Sequence, residues 1–165
     1  MLKLTKKADY GLIALKHLAE AARVSSPALS PALSAKDIAE AYGLPPEALA
    51  KILQRLAKAG LVVSQHGING GYALAKGARA ISAFDVILAI DGPLFITACN
   101  THSGECQQST RCSVKEPLRK VNDGIRDVLS RMTIADMMDN ARTSDRDMEE
   151  DFKPRAQDSE LVRLV

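Results

Sequence analysis

Every cysteine of this 165-residue chain lies in the stretch CNTHSGECQQSTRC, residues 99–112. Cys99, Cys106 and Cys112 are spaced C-x6-C-x5-C. Zinc ribbons usually draw ligands from C-x2-C pairs, and a structural zinc takes four. No C-x-x-C redox pair is present. An odd number of cysteines does not close a disulfide set. Wide spacing in a polar stretch with Gly and Ser suits a bulkier inorganic core wrapped by three thiolates. An iron–sulfur cluster prefers thiolates and takes four protein ligands, so one non-cysteine ligand would come from elsewhere. An oxygen or nitrogen ligand makes such a site more labile, which suits a sensor better than an electron carrier. On spacing alone three chemistries stay open: a cluster, a zinc ion, or free redox-sensing thiols.

Other chemistry finds little support. The chain shows no Ser/His/Asp set, no paired carboxylates and no phosphate-binding glycine loop, so an enzyme is not expected. GINGG, residues 67–71, is read as a turn, because no Gly-Lys-Ser/Thr follows it. No apolar run approaches the ~18 residues of a membrane span. The start, MLKLTKKADYG, lacks a signal-peptide apolar region. The expectation is a cytoplasmic protein with reduced thiols and no membrane partner.

The net charge of +2 hides a polarity. Residues 1–80 carry 11 Lys+Arg against 5 Asp+Glu, and residues 81–165 carry 11 against 15. A basic first half beside an acidic second half points the first half toward a polyanion. The chain has no Trp, 3 Phe and 3 Tyr, so its core must be mostly Leu, Ile, Val and Ala, which suits packed helices.

The elements that must position these groups are legible in part. Residues 6–22 read as a helix, with Tyr10, Ile13, Ala14, His17, Leu18 and Ala21 at three- and four-residue steps. His17 on that stripe reads as a packed core histidine. Prolines and serines break the pattern over 23–33. Ser34 with Asp37 forms a capping box opening AKDIAEAY, and Gly43 suits the left-handed position that ends it. LPPEALAKILQRLAKAG follows, with prolines in its first turn and a stripe of Leu49, Ile52, Leu53 and Leu56. Two β-prone runs flank HGINGG and predict a hairpin. Ser82 and Asp85 open another helix, AFDVILAID, which Gly92 and Pro93 stop before the cysteines. Residues 114–132 form a long amphipathic helix with Leu118, Val121, Ile125, Val128, Leu129 and Met132 on one face. Thr133 caps a shorter segment. From about residue 142 the chain is charged, lacks periodicity and is expected to be disordered.

Helix, helix, glycine turn, helix and a glycine-tipped hairpin is the order of a winged helix-turn-helix. The fold class is therefore mainly α with a small β-hairpin. The helix after the turn can lie in the major groove of double-stranded DNA. Its outward positions are Glu47, Ala48, Lys51, Gln54, Arg55 and Lys58. Arg55 and Gln54 can read base edges, while Lys51 and Lys58 suit phosphates. Glu47 would accept from a cytosine amine or repel phosphate. The wing tip carries Gln65, His66 and Asn69, which suit a minor groove or the backbone. A non-DNA iron–sulfur carrier or redox protein is the rival from another class, and the basic first half argues against it.

LTKKADYGLIAL, LSAKDIAEAYGLPPEALAKILQRLAKAGLV, HGINGGYALAK, ISAFDVILAIDGP and the three-cysteine loop together resemble the family of IscR, NsrR and the SUF-operon regulators. The resemblance covers roughly residues 1–140. It implies a homodimeric winged-helix transcription regulator holding an iron–sulfur cluster, [2Fe–2S] or [4Fe–4S], on Cys99, Cys106 and Cys112. It also implies that the helix at 114–132 is the dimerisation helix. IscR-like members have a histidine three residues after the third cysteine; Lys115 stands there in this chain and is a poor ligand. In NsrR-like members an aspartate in the context LT-x-x-x-D reaches the partner's cluster. Asp9 matches that context and is the leading fourth ligand, with His102 and Glu105 as rivals.

A glutamate in the middle of IscR's recognition helix aligns with Ala50, so its operator discrimination does not carry over. The loop at 23–33 is longer than in IscR. KKADYG and the stretch from the cysteines through RCSVKEPLRKVNDGIRDVL lean toward the SUF-type branch, which implies control of iron–sulfur assembly genes. A nitric-oxide-sensing repressor of the same family is the alternative. The expected organisation is a DNA-binding domain over 1–80, a cysteine loop and dimerisation helix over 81–140, and a tail over 141–165.

Overall fold

A computed structural model of the chain describes residues 4–24, 32–67, 70–96 and 111–139. The loop at 25–31, wing-tip residues 68–69, the stretch 97–110 and the expected tail lie outside the described residues. The elements are α1 (Lys6–Val24), α2 (Ala35–Tyr42), α3 (Pro46–Lys58), β1 (Val62–Gln65), β2 (Gly71–Leu74), a 3-10 turn (Ala78–Ala80), α4 (Ala83–Asp91), α5 (Lys115–Arg131) and α6 (Ile134–Asp139). Among the described residues no helix is long and apolar enough to cross a membrane.

The helix starts follow local chemistry. Ser34 Oγ accepts from Asp37 N and the Asp37 carboxylate accepts from Ser34 N, at 3.1 and 3.3 Å. Ser82 and Asp85 repeat this box on α4, both bonds at 3.1 Å. Thr133 and Asp136 form a third on α6. Each box satisfies orphan N–H groups and places a carboxylate at the positive end of the helix. Two helices end alike. Gly43 (φ 62°) and Gly60 (φ 71°) sit in the left-handed region. Leu44 N then reaches back to Ala39 O and Leu61 N to Leu56 O. A side chain at either glycine would strain this Schellman turn.

One aliphatic core joins these elements. Ala14, Leu15 and Leu18 of α1 meet Ile38, Leu49, Leu53 and Leu56 of α2 and α3, and also Ile81, Val86, Ile90 and Ile134. The boundary expected at residue 80 passes through this core. After α5 the chain returns: Ala83 N donates to Met132 O at 2.8 Å and Ile134 N to Ile81 O at 2.9 Å, which docks α6 beside α1.

The face that α1 buries differs from the expected stripe. Ala8, Gly11, Ala14, Leu15, Leu18 and Ala19 are buried. Tyr10, Ile13, His17 and Ala21 are only half-buried. Small residues let α3, α4 and α6 approach α1 closely, and hydrophobicity weighted toward bulk misses them. His17 is not a core histidine. Its Nδ1 shares a 3.2 Å hydrogen bond with the Tyr42 hydroxyl, and the two rings meet edge-on. Desolvation, with a smaller push from the Glu20 charge, raises the Tyr42 pKa.

The wing is an antiparallel pair in which Val62 faces Leu74 and Gln65 faces Gly71. Leu33 adds a one-residue third strand, with Leu33 N to Tyr72 O at 3.0 Å and Tyr72 N to Leu33 O at 2.8 Å. This fixes residue 71 as glycine, because a Cβ there would lie 2.5 Å from the Leu33 carbonyl carbon and oxygen. Gly71→Ala should therefore destabilise the fold by about 1–3 kcal/mol. Gly77→Ala, where a Cβ meets nothing within 4 Å, should be neutral or stabilising by about 0.4–1 kcal/mol. Urea titration of both variants checks this, and equal stabilities would contradict the close approach.

Candidate nucleic-acid interface and cysteine segment

The amphipathic pattern of α3 decides which side chains face outward. Leu49, Ile52, Leu53 and Leu56 are buried, so Glu47, Lys51, Gln54, Arg55 and Lys58 are exposed, while Ala48 and Ala50 are half-buried. Lys7, from the first turns of α1, joins Pro45, Glu47, Lys51 and Arg55 around an open cleft of about 430 Å³. Lys7, Lys51 and Lys58 form no ion pair among the described residues. Glu47 is the one acid on this face of α3. An exposed helix face with an excess of cationic groups is what a phosphate backbone attracts.

Arg55 is placed less simply than its spacing suggests. Its Nη1 donates to the carbonyl of Ile90, at the end of α4, at 3.0 Å. The guanidinium is thus turned toward α4, while Glu47, Lys51, Gln54 and Lys58 point away from the core. At the wing, Gln65 and His66 are exposed, and Gly70 N closes the turn onto Gly67 O at 2.9 Å. Asn69 lies outside the described residues.

The end of α4 receives a second contact. Thr5 Oγ1 donates to the Asp91 carboxylate at 2.8 and 2.9 Å, and the same oxygen accepts from Ala8 N at 3.2 Å. Thr5 therefore caps α1 and ties that cap to α4. Sequence reasoning missed Asp91 and this use of Thr5. The capping pattern around Thr5 is a local signal, but a contact across 86 positions leaves no mark in local periodicity. Asp9, in the first turn of α1, is exposed, and its carboxylate has no partner among the described residues.

Beyond α4 the chain runs to Ile96, whose N–H donates at 3.0 Å to Asn122 Oδ1 on α5. Asn122 is the one buried polar side chain among the described residues, at 5% exposure. Leaving the Ile96 donor unpaired there would be costly, so the bond pins the entrance of the cysteine segment to α5. Cys112 is half-buried, carries a free thiol and lies just before α5. Cys99, Cys106, His102 and Glu105 lie outside the described residues. Among the described residues no three potential metal ligands come together.

The α5 helix packs one side on α4, where the Arg126 guanidinium lies 5.4 Å from the centre of the Phe84 ring. Its other apolar side stays open among the described residues. Val121 and Val128 are 52% and 62% exposed, and with Gly124, Ile125 and Leu129 they line a groove of about 440 Å³. On its polar side Arg119 bonds Glu116 and Asp123, and its hydrogen bond holds the Glu116 carboxyl below the usual range.

Residues 4–140 match the family Rrf2, described as an iron-dependent transcriptional regulator. An rrf2-like HTH-type regulator of Rhodobacter capsulatus is 34% identical over 140 residues, covering 82% of this chain and 91% of its own. The HTH-type transcriptional regulator IscR of Vibrio cholerae is 35% identical over 140 residues, covering 84% and 77%. Among solved structures, IscR of T. potens superposes with a TM-score of 0.65 at 31% identity, over 87% of this chain and 91% of that one. CymR, the global cysteine regulator of B. subtilis, gives a TM-score of 0.65 at 29% identity, over 84% and 98%.

Proposed function

The chain belongs to the Rrf2 family of winged-helix, DNA-binding transcription regulators, and from that membership we propose a homodimer whose operator affinity is set by an iron–sulfur cluster. The observation that carries this reading is the gathering of all three thiols in a segment that starts at the end of α4 and stops at α5. The exposed cationic face of α3, with Glu47, Lys51, Gln54, Arg55 and Lys58, enters the major groove. Gln65, His66 and Asn69 of the wing lie along the backbone or the minor groove. Two copies of α3 then meet half-sites about one helical turn apart.

Cys99, Cys106 and Cys112 hold the cluster, as a [2Fe–2S] or [4Fe–4S] core. The donor set fits: thiolates are the preferred ligands, Cys112 is unpaired, and Asp9 offers a carboxylate with no described partner. Asp9 of the second protomer is the proposed fourth ligand. When bound, the cluster supplies iron whose ligation responds to oxidation, to nitric oxide and to cluster supply. The chain's own residues do the rest. Asn122 holds the entrance of the segment, Thr5 and Asp91 tie its start to the Asp9 helix, and α5 carries its far end. Iron–sulfur assembly genes of the SUF type are the proposed targets.

The dimer is proposed to form along α5. Val121 and Val128 are branched aliphatic side chains left partly in water, and burying what each still exposes would contribute about 1 kcal/mol. Two expected outcomes test the proposal. Cys106→Ala, purified without oxygen, should lose iron and sulfide and the visible absorption they give; an unchanged spectrum and iron content would remove that ligand. Val128→Asp should shift the protein toward monomer in sedimentation analysis, and a dimer of wild-type strength would place the interface elsewhere.

A further inference from the structure

We propose that Arg55 has two stations: it is parked on the Ile90 carbonyl of α4 in the free protein, and operator DNA draws it off. The parked station is a helix end. The last carbonyls of α4 have no partner within their own helix. Gly92 (φ 84°) turns the chain away, with Gly92 N donating back to Leu88 O at 3.1 Å. A guanidinium there meets both an orphan carbonyl and the negative end of the helix dipole. Ile90 O accepts from Arg55 Nη1 at 3.0 Å, so this is an engaged contact across the α3–α4 junction.

The second station follows from where Arg55 stands. It lies one helical turn beyond Lys51, on the edge of the exposed face and at the mouth of the cleft that Lys7 shares. An arginine reads a base edge through two parallel N–H bonds from a rigid planar fork. A fork held on α4 is not aimed along the outward direction of Gln54 and Lys58, so reading requires it to turn. Leaving α4 removes the partner of Ile90 O, next to Asp91 and Gly92. Six residues after Ile90 comes Ile96, pinned by Asn122 to α5. Among the described residues, Arg55 thus makes the one hydrogen bond between the outward side chains of α3 and the chain that leads into the cysteine segment. Whatever loosens the end of α4 releases Arg55 for DNA, and by linkage DNA loosens the end of α4. The part that reaches the cysteines rests on the cluster reading above; the two stations of Arg55 do not.

Hydrogen exchange of the full-length protein, read over residues 88–96, tests this with or without a cluster. In the free protein, Arg55→Ala should speed exchange there by about five-fold or more, the factor given by loss of one such bond. Arg55→Gln, whose shorter stem does not span to α4, should do the same. Adding a duplex from the chain's own promoter region to the wild-type protein should also speed exchange over 88–96 while slowing it over α3. Adding that duplex to Arg55→Ala, at a concentration that still slows exchange over the variant's α3, should leave 88–96 unchanged. Unchanged exchange in both free variants, or wild-type protein whose 88–96 stretch is unaffected or slowed by a duplex that protects α3, would overturn the proposal. A duplex that fails to protect α3 would overturn it as well.

Discussion

Burial of Ile81, Val86, Ile90 and Ile134 against α1 and α3 holds the two halves of the chain together. All four belong to the cluster that contains Leu15, Leu49, Leu53 and Leu56. Fully burying one such side chain contributes about 1.5–3 kcal/mol, against a typical net stability of 5–15 kcal/mol. Helices α3 and α4 therefore share one packed interior. Close-packed interiors do not deform continuously, so a shift at the end of α4 is felt at α3. A chain divided at residue 80 into two independent cores would lack that property.

Polar contacts then fix direction where packing alone leaves freedom. Thr5 ties the start of α1 to Asp91, Arg55 ties α3 to Ile90, and Asn122 ties Ile96 to α5. All three converge on the short stretch 90–96, which precedes the cysteine segment in the chain. Among the described residues the cationic groups around α3 form no ion pairs, and a polyanion would relieve their self-repulsion. This arrangement suits an interaction whose strength falls steeply with salt.

Much of the fold was legible because it is written locally. The S-x-x-D boxes at Ser34 and Ser82, the glycines at 43 and 60, and the aliphatic stripe of α3 each act within a few residues. The outward set on α3 followed from the same stripe, since burial of Leu49, Ile52, Leu53 and Leu56 leaves the opposite positions in solvent. The α1 face was misread because Ala8, Gly11 and Ala19 bury by being small, and periodicity counts bulk. The Arg55–Ile90 and Thr5–Asp91 contacts, and the Leu33–Tyr72 bridge that constrains Gly71, join positions far apart in the chain. Nothing near either partner announces the other. Asn122 reads in sequence as a polar residue on an amphipathic helix, and only the path of residues 93–96 shows why it is buried.

The proposed function requires the cysteine segment and α3 to be energetically coupled through this shared core. The most direct measurement takes one anaerobic preparation, records its affinity for a promoter duplex, strips the iron and sulfide, and records the affinity again at the same salt concentration. A change of about five-fold or more, in either direction, is the predicted result. Equal affinities, from a preparation shown to have carried and lost a cluster, would contradict it.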